Sequence, residues 1–333
     1  MREYRFDEAS PEYQDMYSAV QSWQLPGNNG ERMDAGETAT ITRQLLYVKA
    51  KTYDVKYPMF KARDFIPVSH DVPSGAETWD YWQWDMYGMA KIIANYATDF
   101  PRADVVKRPF SHAVKSLGSS YGYTIQDLRR VAFMGGQGGG QLDVKRAAAA
   151  RRALEAAIDD IAAVGNADAG FDGFVNNPNV PILAAPTGTW TTATALEILG
   201  DMNALVQKII DQSNEVEIPD TMLFPTAEFQ IVTQTPFSTL ADRTIASWFL
   251  INNPYIQDMD QWIKLKNQNA GHTGGRVVCY RRDEEVLWLE IPQEFEQFAA
   301  DKEGAEYTIP CHMRVGGVAW AYPLAGCYMD GTS

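Results

Sequence analysis

Cysteine and histidine are scarce in this sequence: three cysteines and four histidines are scattered along its 333 residues. An odd number of cysteines without framework spacing argues against a disulfide scaffold and favours a reducing compartment. Cys311 and His312 are adjacent, but Cys327 lies too far along the chain for the spacing of a zinc site. No metal or cofactor site is therefore predicted. Four histidines are expected to have no catalytic or metal-binding role: His70, His112, His272 and His312.

Basic residues are also few: the sequence has 29 Lys and Arg against 43 Asp and Glu, and its net charge is −14. Proteins that wrap nucleic acid neutralise phosphates with clustered basic side chains. The chain as a whole is therefore a poor candidate for a nucleic-acid-binding protein. Three basic pairs, at 129–130, 145–146 and 151–152, are interpreted as solvated helix faces, with loose DNA contact as a minor alternative.

Long apolar runs are missing as well. No segment approaches the roughly 18 apolar residues that a membrane-spanning helix needs. The first residues, Met-Arg-Glu-Tyr-Arg-Phe-Asp-Glu, lack the apolar core of a signal peptide. We therefore expect a protein that is made in the cytoplasm and has no membrane partner. Its length suffices for one large or two medium domains with substantial cores.

Catalytic motifs are absent too, apart from one glycine run from Gly135 to Gly140. A phosphate-binding loop needs a preceding strand and Gly-Lys-Ser/Thr at the start of the helix. Here the preceding segment has a helical pattern, and Gln141 and Leu142 stand where Lys and Ser/Thr belong. The run is interpreted as a flexible joint, and no catalytic residue is predicted. A cytoplasmic α/β enzyme that uses this glycine run remains the lower alternative.

The clearest element that is present is a long helix from Leu142 to Val164, followed by Gly165. Alanine, leucine, arginine and glutamate are strong helix formers, and neither Gly nor Pro interrupts the segment. At about 1.5 Å per residue its length is roughly 35 Å, and we expect Gly165 to end it in a left-handed conformation. The predicted apolar face comprises Ala147, Ala150, Leu154, Ile158 and Ile161, and the predicted polar face comprises Lys145, Arg152, Glu155 and Asp159.

The charged residues of this helix lead to two further predictions. Arg151 lies one turn before Glu155, so the two side chains are expected to pair. Asp159 and Asp160 lie at the negative end of the helix dipole, which is predicted to be mildly unfavourable.

An aromatic segment, Glu77–Ile93, precedes the helix. In an extended strand Trp82, Trp84 and Met86 share one face, and Trp79, Tyr81 and Tyr87 share the opposite face. A turn-rich tip at 95–109 and a second extended run at 111–125 complete a long two-stranded excursion. Because an isolated hairpin is only marginally stable in water, this one must lie on its own core or on a neighbouring subunit.

The remaining pattern alternates between helix and strand. After a polar arm and a strand-rich segment at 39–55, a short helix is predicted at 124–133. Beyond Pro186 the predicted helices are 191–214, with a capping box from Thr194 to Glu197, 226–233 and 241–250. The predicted strands are 219–224, a hairpin of 276–281 with 286–291, 307–313 and 315–322.

Three segments and this order of elements resemble one known family. The segments are Trp79-Asp-Tyr-Trp-Gln-Trp, Leu142-Asp-Val-Lys-Arg-Ala-Ala and Val315-Gly-Gly-Val-Ala-Trp-Ala-Tyr-Pro. The long helix is followed by Gly-Phe-x-Gly-Phe at 170–174 and by Asn177, where many relatives have Leu in place of Phe. Over nearly its whole length the chain resembles the major capsid proteins of tailed bacteriophages and prophages. The glycine run before the helix departs from the simpler family patterns.

The resemblance implies an α+β fold of the Hong Kong 97 type. It implies an N-terminal arm at 1–36 and a peripheral domain at 37–185, which holds an extended loop at about 77–123 and the spine helix at about 142–164. An axial domain at 186–306 follows, and C-terminal strands at 307–333 return to the peripheral domain.

The implied function is structural, without catalysis. The chain is expected to self-assemble into pentamers and hexamers of an icosahedral phage head that encloses double-stranded DNA. Scaffold, portal and decoration proteins are the further partners that the family implies. The family's covalent cross-links draw attention to Lys91 and Lys107 near the loop, but nothing in the sequence identifies an acceptor. The alternative with the same fold is an encapsulin-like shell of a bacterial nanocompartment that encloses an enzyme.

Overall fold

The computed structural model describes residues 55–92, 102–133, 139–238, 243–268 and 274–332. Residues 59–333 form one compact unit. The predicted arm at 1–36, nearly all of the strand-rich segment 39–55, His272 and residues 135–138 of the glycine run lie outside the described residues.

Helices and strands both contribute to this unit, which confirms the predicted α+β class. The helices are α1 Ala62–Phe65, α2 Ile125–Phe133, α3 Gly139–Val164, α4 Ala195–Gln212, α5 Thr226–Gln234 and α6 Ile245–Asn252. The first strands are β1 Val68–Ser69, β2 Thr78–Tyr87, β3 Asp104–Ala113, β4 Lys115–Thr124, β5 Gly165–Asn166, β6 Phe171–Asp172, β7 Ile182–Ala184 and β8 Thr221–Phe224. The later strands are β9 Asp258–Gln261, β10 Arg276–Tyr280, β11 Leu287–Glu290, β12 Gln293–Gln297, β13 Asp301–Glu303, β14 Glu306–Val315, β15 Gly317–Trp320 and β16 Gly326–Asp330.

The long helix is α3, and its 26 residues give it a length of about 39 Å. It begins at Gly139, earlier than predicted, so the end of the glycine run belongs to the helix and not to a flexible joint. Gly165 follows it with φ +79°, as predicted, and a Cβ there would lie 2.4 Å from the Phe171 carbonyl oxygen. Of the predicted apolar face, Ala147 is only half-buried, and the buried members are Ala150, Leu154, Ile158 and Ile161.

Asp159 contradicts the predicted polar face, because its side chain is buried. Its Oδ1 accepts hydrogen bonds from the backbone N–H groups of Lys61 at 3.2 Å and Ala62 at 3.0 Å. These groups open α1, where backbone N–H groups have no partner within the helix. Lys264 Nζ lies 3.6 Å from Asp159 Oδ2. Partners from distant segments therefore outweigh the unfavourable dipole of α3 itself.

The predicted pair of Arg151 with Glu155 is also wrong. Arg63 of α1 lies closer to the carboxylate, with its Nη2 3.2 Å from Glu155 Oε2. Arg151 instead lies over the ring of Phe295, 5.8 Å from its centroid. The same Arg63 donates a hydrogen bond to Glu294 at 2.6 Å, and this bond lowers the pKa of Glu294. Arg63 of α1 therefore pairs with Glu155 in place of Arg151, because α1 packs directly on α3.

Two hydrophobic cores lie on opposite faces of one five-stranded sheet, with strand order β7-β16-β10-β8-β9. Successive side chains of a strand point to opposite faces. The side chains on one face join α3 in the first core: Leu223, Val278, Tyr280 and Tyr328. Those on the other face join α4, α5 and α6 in the second core: Met222, Phe224, Val277, Cys279, Cys327 and Met329. The sheet therefore lies between the two cores and contributes side chains to both.

The predicted hairpin of 276–281 with 286–291 does not form. In the five-stranded sheet β10 pairs with β8 on one side and β16 on the other, so it has no free edge for β11. The chain turns at Asp283, whose Oδ1 accepts a hydrogen bond from the backbone N–H of Glu285 at 3.1 Å. It then enters a three-stranded sheet of order β1-β11-β15.

Helices α4, α5 and α6 lie in the predicted segments, although α4 spans Ala195–Gln212 and not 191–214. Thr194 caps α4 in a reciprocal capping box with Glu197, as predicted. Leu196 in its first turn is exposed, whereas Ile198 is buried. Helices α2 and α5 lie where they were predicted. Helix α6 begins after its N-cap Thr244, later than the predicted start at 241.

We predict that Asp159→Ala lowers the free energy of unfolding by about 2–4 kcal/mol, because it removes the acceptor for the N–H groups of Lys61 and Ala62, of which the second is buried, and removes an acidic partner of Lys264. Asp160→Ala is the matched control, since Asp160 is exposed although it also pairs with Lys264. We expect the control to stay within about 0.5 kcal/mol. Urea unfolding of the unassembled subunit measures both, and equal losses would contradict the role given to Asp159.

Candidate assembly surfaces

The aromatic segment forms a long hairpin. Strands β2 and β3 pair antiparallel over ten residues each, from Thr78 opposite Ala113 to Tyr87 opposite Asp104. In the described parts of the chain these strands pair only with each other. The structure thus contains the predicted excursion but corrects its second strand, which starts at Asp104 and not at 111. Pro109 belongs to this strand and not to the tip, since an edge strand tolerates proline.

The chain leaves the hairpin at Val114. Its N–H donates to the Glu77 carbonyl at 2.8 Å, and its side chain is buried. The following strand β4, which the sequence assigned to the excursion, instead pairs with β14 over ten residues. The extended loop of about 77–123 therefore divides into a projecting hairpin and a strand of the body.

Aromatic side chains fix the base of the hairpin to the body. Trp79 is buried, and its Nε1 donates to the Gly316 carbonyl at 3.3 Å. The Tyr81 hydroxyl donates to the Trp320 carbonyl at 3.3 Å. Trp288 of β11 packs against both rings, with centroid distances of 5.8 and 5.5 Å. Since aromatic pairs of this kind add to the burial of apolar area, the base belongs to the fold of the subunit.

His112 completes this anchor. Its ring stacks on Trp79 at 4.7 Å, with an angle of 17° between the planes. Burial lowers the pKa of His112, while the negative charges of Asp172 and Asp80 act in the opposite direction. A lowered pKa favours the neutral ring, which suits a position between two aromatic side chains.

The distal half of the hairpin exposes a row of large apolar side chains on the face opposite Trp79 and Tyr81. Trp82, Trp84 and Met86 share this face, as predicted, and are 51%, 61% and 79% exposed. We call these three residues the hairpin aromatic face. Lys107 lies across the strand from Trp84, and its Nζ is 3.7 Å from the Trp82 ring centroid and 5.1 Å from that of Trp84. Exposed apolar patches with aromatic side chains mark protein-protein contact sites.

A second exposed apolar surface lies at α6. Ile251 and Leu250 of this helix and the nearby Tyr255 are exposed, although Ile245 and Phe249 fill the second core. The helix is therefore apolar on its outward side as well as on its inward side. Such a helix fits a position that another molecule covers.

The other residues singled out in the sequence do not converge. His70 Nδ1 lies 2.8 Å from the Ile291 carbonyl oxygen, and the ring of His312 lies 6.1 Å from that of Phe298. Cys311 lies in the first core and Cys327 in the second. Burial raises the pKa of Cys327 to about 12, which disfavours the thiolate that a metal would bind. Within the described ranges no three His, Cys, Asp or Glu side chains form a metal-binding group.

The comparisons with known proteins decide the family. A family model described as "Major capsid protein" matches residues 88–332, which is most of the chain. The chain belongs to the major capsid protein family. No curated protein matches its sequence. Among the described residues, no helix of this capsid protein is long and apolar enough to cross a membrane.

Solved capsids share the fold at low sequence identity. The capsid of Myoviridae phage XM1 matches at 14% identity with a TM-score of 0.76, over 91% of this chain and 100% of that chain. Mycobacterium phage Adephagia matches at 11% identity with a TM-score of 0.58, over 91% and 100%. A virus-like particle from Pyrococcus furiosus matches at 12% identity with a TM-score of 0.51, over 80% and 91%. The fold is thus that of tailed-phage capsid proteins, and the compartment-shell alternative is the weaker one.

The two halves of the hairpin are expected to respond differently to mutation. Trp79→Ala removes a buried ring and is predicted to cost about 3–5 kcal/mol of unfolding free energy. Trp84→Ala, on the hairpin aromatic face, is predicted to change it by less than about 0.5 kcal/mol. Chemical denaturation of unassembled subunits measures both values. Equal destabilisation by the two variants would show that the distal face also belongs to the core of the subunit.

Proposed function

We propose that this major capsid protein self-assembles into pentamers and hexamers that build an icosahedral phage head around double-stranded DNA. The observation that carries the proposal is the hairpin, which is anchored at its base and exposes a distal aromatic face. A projecting element that meets a different surface of the next copy is a heterologous contact, and such contacts close into rings. The subunit contributes structure and performs no catalysis, and its place is in the virion after assembly in the host cytoplasm.

The two cores support a division of the subunit into a peripheral domain and an axial domain. We place the axial domain at 186–306, whose helices α4, α5 and α6 pack in the second core, although Leu287 and Leu289 of the same range pack in the first core. Ile251 of α6 is proposed to face neighbours at the capsomer centre. We place the peripheral domain at 37–185, with the hairpin and α3, and assign 1–36 to an arm. The C-terminal segment 307–333 returns to the peripheral domain through β14, and its last strand, β16, completes the shared sheet.

Further partners follow from the family and from charge. Scaffold, portal and decoration proteins are proposed to bind the assembled shell. Arg129 and Arg130 are exposed on α2 within an otherwise acidic chain. Two such cations per subunit support loose, non-specific contact with packaged DNA, because each phosphate contact adds a salt-dependent increment of affinity. A tighter association is disfavoured by the net charge of −14.

The experiment that tests this function is electron microscopy of particles formed on overexpression, with analysis of their contents. We expect megadalton-scale closed shells or capsomers, and DNA inside heads recovered from phage-producing cells. Shells that hold an enzyme in place of DNA would favour the nanocompartment alternative. A protein that stays monomeric at high concentration, whatever the salt, would contradict assembly altogether.

A shortened hairpin separates folding from assembly. The variant replaces 84–107 with a four-residue turn made of Gly and Asn and keeps the base, including Trp79, Tyr81 and His112. We predict native-like circular dichroism and cooperative melting, because the anchored part is intact. Assembly is expected to stop at monomers or small capsomers, since interfaces concentrate their energy in a few buried aromatic anchors. Sedimentation velocity reports the outcome, and normal shells from this variant would remove the hairpin from the mechanism.

A further inference from the structure

A cleft of about 530 Å³ lies beside the base of the hairpin, where β2 leaves the body. Its aromatic walls are Trp79, Tyr81 and Trp288, which belong to one small hydrophobic cluster. The other lining residues come from β1, from the segment between β1 and β2, from β11 and from the turn before β11. We call this space the hairpin-base cleft. All of its described walls come from one chain, so a ligand can bind to a single subunit.

The lining of the hairpin-base cleft is acidic. Five carboxylates line it: Asp71, Asp80, Glu284, Glu285 and Glu290. No Lys or Arg is among its described lining residues, and none of the five carboxylates forms an ion pair within the described chain. Arg281, at the start of the same turn, already pairs with Glu217 at 3.0 Å and with Asp283 at 2.8 Å. Because carboxylates that share a cleft repel one another, a positively charged ligand would stabilise this arrangement.

Glu290 distinguishes this cleft from an ordinary acidic surface. The residue is only 1% exposed, although it lines the cleft. Its Oε1 accepts a hydrogen bond from the Val72 backbone N–H at 3.1 Å, whereas its Oε2 accepts none from the described residues. A buried carboxylate is costly unless hydrogen-bond donors and a cation compensate it. Glu290 therefore lacks a donor that a cationic ligand in the cleft can supply.

The aromatic walls restrict which cation fits. Trp288 is half-buried, and its ring centroid lies 5.8 Å from that of Trp79 and 5.5 Å from that of Tyr81. Such rings attract ammonium groups at their faces and pack against methylene chains. A hydrated metal ion would use neither property, and within the described ranges no three acidic side chains form a metal-binding group. An aliphatic chain that carries ammonium groups uses both.

We propose that the hairpin-base cleft binds a linear aliphatic diamine or polyamine cation. One ammonium group donates to Glu290 Oε2 in the buried part of the cleft, and the methylene chain lies along the aromatic walls. The second ammonium group lies at the rim, where Asp80 and Glu285 are exposed. A ligand that binds only the folded chain stabilises it, so the cation strengthens the anchor of the hairpin. Binding at this site does not depend on assembly of the shell.

Calorimetric titration of the unassembled full-length chain tests the site. The ligands are pentane-1,5-diamine, pentylamine and pentane-1,5-diol, which share a five-carbon chain and carry two, one and no ammonium groups. We expect the diamine to bind about fivefold or more tightly than the monoamine, and the diol not to bind detectably. A diol that binds as tightly as the diamine, or a diamine that does not bind at millimolar concentration, would overturn the inference.

Glu290→Gln tests the buried end of the cleft. The amide keeps the shape of the side chain and an acceptor for the Val72 N–H but removes the charge, so both amines are expected to bind about tenfold or more weakly. Glu303→Gln is the matched control, because Glu303 is an exposed glutamate of β13 that does not line the cleft. Melting curves without ligand establish that both variants fold. Equal diamine affinities of the two variants would contradict the assignment of Glu290.

The exposed end is tested by a variant that leaves Glu290 in place. Asp80→Asn combined with Glu285→Gln removes two charges at the rim, and substitutions at such exposed positions rarely disturb folding. We expect this double variant to bind the diamine several-fold more weakly and to change the affinity for the monoamine by less than about twofold. A general loss of acidic charge would weaken both amines. Equal weakening of the two would therefore count against a ligand that spans the cleft from Glu290 to the rim.

Discussion

The five-stranded sheet is the constraint on which the rest of the subunit depends, because both of its faces are buried. Its strands β8, β10 and β16 carry buried side chains at nearly every position. One set of side chains holds α3 and the other holds α4 to α6, so a change in register would exchange the two sets and disrupt both cores. Arg276 reinforces the register, since its guanidinium bonds to Asp330 at 2.7 and 2.8 Å and to the Val175 carbonyl at 2.8 Å.

The hairpin combines a folding function and an assembly function along one pair of strands. At its base the side chains of Trp79 and Tyr81 face the body and make hydrogen bonds to backbone carbonyls. Towards the tip the exposed rings of Trp82 and Trp84 lie on the opposite face of the ribbon, which follows from the alternation of side chains along β2. A two-stranded ribbon alone is marginally stable, so the anchored base is what allows the distal half to project. The subunit can therefore fold first and associate later.

Local signals in the sequence sufficed for elements that depend mainly on their own residues. The periodicity of α3 and the capping box of α4 predicted both helices, because each pattern is complete within one segment. Contacts between distant segments were beyond such signals. The sequence pattern places Asp159 on a solvated face, and only the packing of α1 shows that it is buried. The pattern likewise predicts β10 as half of a hairpin, but β8 and β16 occupy both of its edges. The short strand β16 has no alternation to detect, because both of its faces are buried.

The assembly surface was predictable in part for the same reason. Alternation along β2 placed Trp82, Trp84 and Met86 on one face, and the structure confirms it. Strand β4 gave no comparable signal, since glycine and serine at its alternate positions resemble a weak strand. Its place in the body follows only from β14, which supplies the register that aligns Gly118 with His312.

Charge explains how an acidic subunit can join many copies of itself. Each chain carries a net charge of −14, so subunits repel one another at a distance. At physiological ionic strength this repulsion is screened beyond about 8 Å. An attraction that acts only on contact, such as the burial of the exposed rings of Trp82 and Trp84, is not weakened by that screening. Lys107 lies over the rings, where it reduces the exposed apolar area of the free subunit and adds a positive charge to the surface of an acidic chain. The side chain thus favours the solubility of the subunit before any association.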